Sequence, residues 1–164
     1  MKTLLFLRHA KSSWKDPSLQ DEERPLNSRG RLAAPKMGEL LRTLQLVPDQ
    51  VLCSTAVRAE STCRAVCEAS HFEGPTTYLP ELYLASAETL LATAATHGEA
   101  TASRVMLIGH NPGMENIVSR LCGRLQPFPT AALAAFRFDV SEWSALSDQS
   151  PAEMLGVWLP RELD

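Results

Sequence analysis

The sequence predicts an α/β protein, a three-layer α/β/α sandwich with a mostly parallel sheet of about six strands. Short apolar runs alternate with longer segments whose apolar residues recur at helical spacing, which is the pattern of strand–helix–strand units. The last two strand-like runs have no helical segment between them, so we expect one of them to be antiparallel to the rest. The length of 164 residues, with 45% hydrophobic and 21% charged, predicts a single domain over residues 1–164.

Each element follows from a local pattern. The first strand is an apolar run over 3–7 that ends at charged residues, and the other strands are predicted over 50–53, 76–79, 104–108, 132–138 and 154–159. Asn27 or Ser28 can cap a helix that runs to about residue 44, and Ser86 can cap another through 96. Further helices are predicted over 56–69 and after Gly113. The polar stretch 11–27 is long for a connection, which is typical of functional or disordered loops.

Charge and hydropathy exclude several classes of protein. Sixteen Lys and Arg against nineteen Asp and Glu give a net charge of -3, which is unsuited to general nucleic-acid binding. No window approaches the ~18 apolar residues of a membrane span. The apolar run after Met1 stops at Arg8, too early for an export signal, so we expect a cytoplasmic protein with its four cysteines reduced. An anion site here must be a local cluster of Arg and His.

Chemistry-bearing residues follow three of the predicted strands. Arg8 and His9 come after the first, Ser54 and Arg58 after the second, and His110 after the fourth. Ligands of open α/β sheets bind beyond the carboxyl ends of the strands. Each group alone has an ordinary explanation, such as a surface pair, a solvated helix face or a structural histidine in a tight turn. Together they predict an anion site. No Gly-rich phosphate loop of the nucleotide-binding kinds is present.

The same segments resemble the histidine phosphatase superfamily, which has the phosphoglycerate-mutase-like fold. Leu-Arg-His-Ala-Lys-Ser at 7–12 resembles its first signature, with Ala10 where glycine is usual. The segment 53–62, Cys-Ser-Thr-Ala-Val-Arg-Ala-Glu-Ser-Thr, resembles the second motif, and Gly-His-Asn at 109–111 the third. The chain length and Arg-Pro-Leu at 24–26 resemble the short, SixA-type phosphohistidine phosphatases.

This resemblance implies a phosphatase whose nucleophile is His9, with Arg8 and Arg58 around the phosphate and His110 as a further donor if it is protonated. Phosphoryl transfer needs such donors for its equatorial oxygens, so neither a metal nor another cofactor is expected. Arg24 matches an additional phosphate-binding arginine, although it could instead pair with the acidic patch 21–23. Glu81 falls where larger relatives carry a general acid, but it could be a remnant or a helix-entry residue. Core packing is the better interpretation of the paired cysteines at 63 and 67 than a metal site.

The shortness of the segment that could cover the site indicates what kind of substrate it accepts. The segment 80–103 holds only a turn and one helix, which leaves little for a lid, so the site should be open. An open site suits phosphohistidine displayed on another protein, which is the leading hypothesis. A small phosphomonoester and a non-catalytic phosphate-binding module are the alternatives. Residues that border the site without an assigned role are Lys11, Ser12, Trp14 and Lys15.

Overall fold

The structure, a computed structural model, describes residues 1–163. Its strands are β1 (Lys2–Arg8), β2 (Gln50–Ser54), β3 (Thr76–Leu79), β4 (Arg104–Gly109), β5 (Leu133–Phe138) and β6 (Ala152–Trp158). Its α-helices are α1 (Ser28–Thr43), α2 (Val57–Ser70), α3 (Ala87–His97) and α4 (Gly113–Cys122). Short 3-10 turns at Asp21–Glu23 and Pro80–Leu82 lie in the loops before α1 and α3.

The strands form one six-stranded sheet in the order β3-β2-β4-β1-β5-β6. β1 pairs in parallel with β4, and β2 in parallel with both β4 and β3. β5 is antiparallel to β1 and to β6, which confirms that one of the last two strands opposes the others. The register aligns Arg8 with Gly109. The carboxyl ends of β1, β2 and β4, each followed by site residues, therefore meet at one edge of the sheet.

Two apolar clusters cover the two faces of the sheet and confirm the three-layer arrangement. Side chains alternate along a strand, so Leu4 and Phe6 of β1 lie in one cluster and Leu5 and Leu7 in the other. The first cluster is completed by residues of α3 and α4, and the second by residues of α1 and α2. Cys63 packs within the second cluster, as expected for a core residue.

Helix starts agree with the capping residues in the sequence. The Asn27 side chain accepts the Gly30 amide at 2.9 Å, and the Ser86 hydroxyl accepts the Thr89 amide at 3.2 Å. The largest difference in strand boundaries is at β6, which begins at Ala152 rather than 154. β6 is an edge strand whose first residues are exposed, so they carry no apolar signal. Among the described helices, none is both long and apolar enough to cross a bilayer.

Candidate active site

A small cavity of about 190 Å³ opens at the carboxyl ends of β1, β2 and β4. It is lined by Arg8, His9, Lys11, Ser12, Trp14, Arg24, Arg58, Leu84, His110, Asn111 and Thr130. The structure thus brings together five of the six site residues predicted from the sequence. Four of these five are buried, with exposures of 7% or less, so their charges and lone pairs act in a poorly solvated space.

His9 follows β1 directly and presents one ring nitrogen to the cavity. Its Nδ1 lies 2.8 Å from the carbonyl oxygen of Ala10, to which it can only donate. Its Nε2 accepts a 3.4 Å contact from Arg58 Nε. Burial lowers the pKa of His9 to about 4, and the neighbouring arginines act in the same direction. At neutral pH the ring is therefore uncharged, with a lone pair on Nε2.

The backbone around His9 is tied to α2 by one hydroxyl. The Ala10 amide donates to Thr62 Oγ1 at 2.9 Å, and the same hydroxyl donates to the Arg58 carbonyl oxygen at 2.7 Å. Thr62 is the last residue of the second motif, four positions after Arg58. This contact explains why a hydroxyl is useful there, since it fixes the start of α2 against the loop that carries His9.

Asp21 joins the two arginines that approach the cavity from the loop and from α2. Its Oδ1 accepts Arg24 Nη1 and its Oδ2 accepts Arg58 Nη2, both at 2.9 Å. The Tyr83 hydroxyl also donates to Oδ2. The hydrogen bond from Tyr83, followed by those from Arg58 and Arg24, holds the pKa of Asp21 well below its usual range. Asp21 is therefore an ionised bridge between the two guanidinium groups.

Arg24 lies in the cavity wall and is held from several sides. Its Nε donates to the Ser13 carbonyl oxygen at 3.1 Å, and its Nη2 donates to the Ser12 hydroxyl. Its guanidinium stacks over the Trp14 ring, 3.2 Å from the ring centroid. The two alternatives raised by the sequence are not exclusive, because Arg24 both lines the cavity and pairs with Asp21.

His110 lies opposite His9, with ring centroids 5.1 Å apart. Its Nε2 is 2.7 Å from the Ser54 hydroxyl at the end of β2. Burial, followed by the proximity of His9 and Arg58, lowers the pKa of His110 to about 3. His110 is therefore neutral at neutral pH without a ligand, and the positive charge of the cavity comes from its arginines and Lys11.

Two buried polar atoms in this cavity have no hydrogen-bond partner. Arg8 donates from Nη1 to the Phe128 carbonyl oxygen at 3.2 Å, but its Nε is unpaired, and so is His110 Nδ1. Within residues 1–163, these are the buried side-chain nitrogen or oxygen atoms left without a partner. Buried polar groups are nearly always paired, so both atoms are candidate contacts for a bound ligand, and Arg8 Nε, which can only donate, needs an acceptor.

Glu81 is the predicted site residue that the structure leaves outside the cavity. It is exposed on the turn Pro80–Leu82, although Leu84, three residues later, is part of the cavity wall. Its role as an acid stays a prediction. Of the bordering residues, Lys11, Ser12 and Trp14 line the cavity and Lys15 does not.

Sequence reasoning missed the contributions of Asp21, Tyr83 and Thr62. The acidic patch was visible, but nothing indicated that one carboxylate would reach an arginine 37 positions away. Tyr83 carried no local signal at all. Across the part of the chain that the structure describes, no group of three or more His, Cys, Asp or Glu side chains could hold a metal ion.

Comparison with known proteins places this site in a family. Residues 4–83 match the model of the histidine phosphatase superfamily, branch 1. An uncharacterised chloroplast protein of Arabidopsis thaliana is 32% identical over 170 residues, covering 97% of this chain and 78% of the relative.

Two solved structures cover nearly the whole chain. One, from Agrobacterium tumefaciens and assigned as the phosphohistidine phosphatase SixA, is 30% identical, with a TM-score of 0.82 over 97% of this chain and 98% of that one. Another with the same assignment, from Nakamurella multipartitia, is 28% identical, with a TM-score of 0.84 over 97% and 96% of the two chains. The chain described here belongs to the histidine phosphatase superfamily and is a phosphatase of the SixA type.

Proposed function

We propose that this phosphatase removes the phosphoryl group from phosphohistidine on a protein, through a phosphorylated intermediate on His9. The observation that carries the proposal is the pair of unpartnered buried atoms, Arg8 Nε and His110 Nδ1, in the cavity that holds His9 Nε2. A phosphoryl group supplies acceptor oxygens to both atoms while its phosphorus faces the lone pair of His9.

Three arginines and His110 supply the hydrogen-bond donors for the phosphoryl oxygens. Arg8, Arg24 and Arg58 offer planar, permanently charged donors that suit these oxygens. The Ser54 hydroxyl accepts the Ala56 amide at 3.2 Å, and it can also donate its own proton to His110 Nε2. In that tautomer His110 carries its ring proton on Nδ1, where it donates to a phosphoryl oxygen without the ring being charged.

In the first step, His9 Nε2 attacks phosphorus and the bond between phosphorus and the substrate imidazole breaks. When the substrate imidazole carries a proton on its other nitrogen, it leaves as a neutral ring and takes up no proton. The positive charge passes to the ring of His9, which keeps its Nδ1 proton on the Ala10 carbonyl oxygen. In the second step, water attacks phosphorus, the bond to Nε2 breaks, and dihydrogen phosphate leaves with both protons of the water.

The lining of the cavity favours phosphohistidine over a phosphomonoester. No carboxyl group occurs among its described lining residues. An alkoxide leaving group needs a proton from a positioned acid, which typically contributes roughly 10²–10⁴-fold, whereas a neutral imidazole needs none. The similarity to the two SixA structures supports the same choice. We also place the protein in the cytoplasm, because its four cysteines are free thiols, as a reducing compartment favours.

A small phosphomonoester is the second candidate, since the turn that carries Glu81 leads directly into the cavity wall at Leu84. The test compares kcat/KM for a phosphohistidine peptide and for an alkyl phosphate, with the wild-type enzyme and with Glu81→Gln. We expect the peptide to be preferred and Glu81→Gln to leave its turnover within about twofold. Preference for the alkyl phosphate, lost in Glu81→Gln, would favour the second candidate. Binding of both compounds without turnover would favour a non-catalytic module.

A further inference from the structure

A second and larger cavity, of about 570 Å³, adjoins the candidate active site. Lys11 and Thr130 line both cavities, so the two cavities meet at these residues. Four parts of the chain form the walls of the larger cavity: the loop after β1, the exposed side of α1, the loop before β5 and the turn after β6. We call it the basic groove, and its principal side chains are Lys11, Arg29, Leu32, Lys36, Pro160 and Arg161.

The groove concentrates positive charge on a chain whose net charge is -3. Arg29 and Lys36 are seven positions apart on α1, which places them on one helix face. Lys11 and Arg161 contribute from the other walls, and no acidic residue occurs among the described residues that line the groove. Lys11, Arg29 and Arg161 are exposed, and within residues 1–163 none of them forms an ion pair. The groove therefore attracts negatively charged groups.

Apolar side chains lie between these charges. Leu32 is on the same face of α1 and is 71% exposed, and Pro160 lies across the groove. A ligand that consists only of phosphate gains nothing from such surfaces. An acidic polypeptide segment that also carries apolar side chains complements both parts of the groove.

The groove begins very close to the nucleophile. Lys11 follows His9 by two residues, so their Cα atoms are at most about 7.6 Å apart. The position of Lys11 is fixed, because its carbonyl oxygen accepts the Asn27 amide at 2.9 Å. The first turn of α1 also packs so closely on this carbonyl that a side chain at Gly30 would collide with it. A polypeptide whose phosphohistidine reaches His9 therefore has its adjoining surface over the groove.

We propose that the basic groove binds an acidic, partly apolar segment of the protein that carries the phosphohistidine. This inference rests on the proposed function and adds to it a specificity site outside the catalytic cavity. The groove selects among phosphorylated partners, while the catalytic cavity recognises only the phosphoryl group.

The test compares three substrates: a phosphohistidine peptide flanked by Asp, Glu and Leu, the same peptide with Asn and Gln in place of the acids, and free phosphohistidine. The variants are the double substitution R29Q/R161Q and, as the matched control, Arg42→Gln on an exposed part of the same helix outside the groove. Because exposed ion pairs are weak, we expect the double variant to lower kcat/KM for the acidic peptide by about 2- to 30-fold. The neutral peptide, free phosphohistidine and the control should be unaffected, and 0.5 M salt should abolish the preference.

The outcomes separate this inference from the proposed function. Equal turnover of the acidic and neutral peptides by the wild-type enzyme would contradict the binding of an acidic segment by the basic groove. It would leave the proposed phosphatase function intact. An equal loss on all three substrates in R29Q/R161Q would also contradict this binding. The same variants are also assayed on an alkyl monophosphate and an alkyl bisphosphate. Preference for the bisphosphate, removed by R29Q/R161Q, would assign the groove to a second phosphate instead. No turnover of any phosphohistidine substrate would contradict the proposed function itself.

Discussion

Asp21 and Arg58 are 37 positions apart in the sequence and are joined by two hydrogen bonds. Arg58 Nη1 donates to the Asp21 carbonyl oxygen at 2.6 Å, and Nη2 donates to its carboxylate at 2.9 Å. The loop between β1 and α1 is thereby anchored to the first turn of α2. Because the same carboxylate holds Arg24, one residue sets the spacing of two of the three arginines that line the cavity.

Asp21→Asn should lower kcat/KM for a phosphohistidine peptide by about 3- to 10-fold. Hydrogen bonds to charged groups contribute about 1.5–3 kcal/mol, and we take less than this range because the Asp21 side chain is 42% exposed. The measurement is steady-state kinetics, with the neighbouring exposed Glu22→Gln as the control. A higher kcat/KM in Asp21→Asn would mean that the carboxylate competes with substrate for the arginines rather than orienting them.

Arg24→Lys tests whether the geometry of the guanidinium matters as well as its charge. Lysine keeps the charge but cannot donate to the Ser13 carbonyl, Ser12 and Asp21 together while facing the cavity. We expect Arg24→Lys and Arg24→Ala each to lower kcat/KM by about 10-fold or more on every phosphorylated substrate. Full activity in Arg24→Lys would show that a point charge is sufficient, and full activity in both variants would limit Arg24 to its structural contacts with Ser12, Ser13 and Asp21.

Stability should fall as the pH is lowered from 7.5 to 5. The pKa values of His9 and His110, about 4 and about 3, lie below the unfolded value of about 6.5, so the unfolded chain binds more protons in this range. The contribution of the two neutral histidines to the free energy of unfolding is complete above pH 6.5 and is lost as the pH falls toward 4. By linkage, we expect a loss of about 2 kcal/mol for each histidine between pH 7.5 and 5.

Urea unfolding at the two pH values measures this loss, and His9→Gln should remove roughly half of it. Asp21 does not interfere, because its carboxyl group titrates only below about pH 4 in the unfolded chain. A free energy of unfolding that is the same at pH 7.5 and 5 would contradict the neutral, buried state of both histidines.

The sequence was sufficient to predict what depends on local pattern. Polar residues directly follow two of the predicted strands, Arg8 and His9 after β1 and His110 after β4. Because parallel strands end at a common edge of the sheet, this placement predicted one site. The capping residues Asn27 and Ser86 marked two helix starts. The apolar pattern missed the first two residues of β6, which are exposed.

Contacts between distant side chains could not be predicted in the same way. The bridge from Asp21 to Arg58 depends on how a polar loop folds over the sheet edge, and neither residue has a pattern that encodes the other. The neutral state of His110 follows from burial and from the proximity of His9 and Arg58, which only the folded arrangement sets. The basic groove likewise combines α1 with segments about 100 and about 130 residues later in the chain, around Pro129 and Arg161.

The most direct test of the account is detection of the phosphorylated intermediate. A phosphohistidine peptide with labelled phosphate is mixed with enzyme for milliseconds, quenched in alkali and digested, and the label is located. Acid-labile label on the peptide that contains His9, absent in His9→Ala, is the predicted result, since Nε2 of the neutral ring is the nucleophile. Turnover with no label on His9, or undiminished label elsewhere in His9→Ala, would contradict the account.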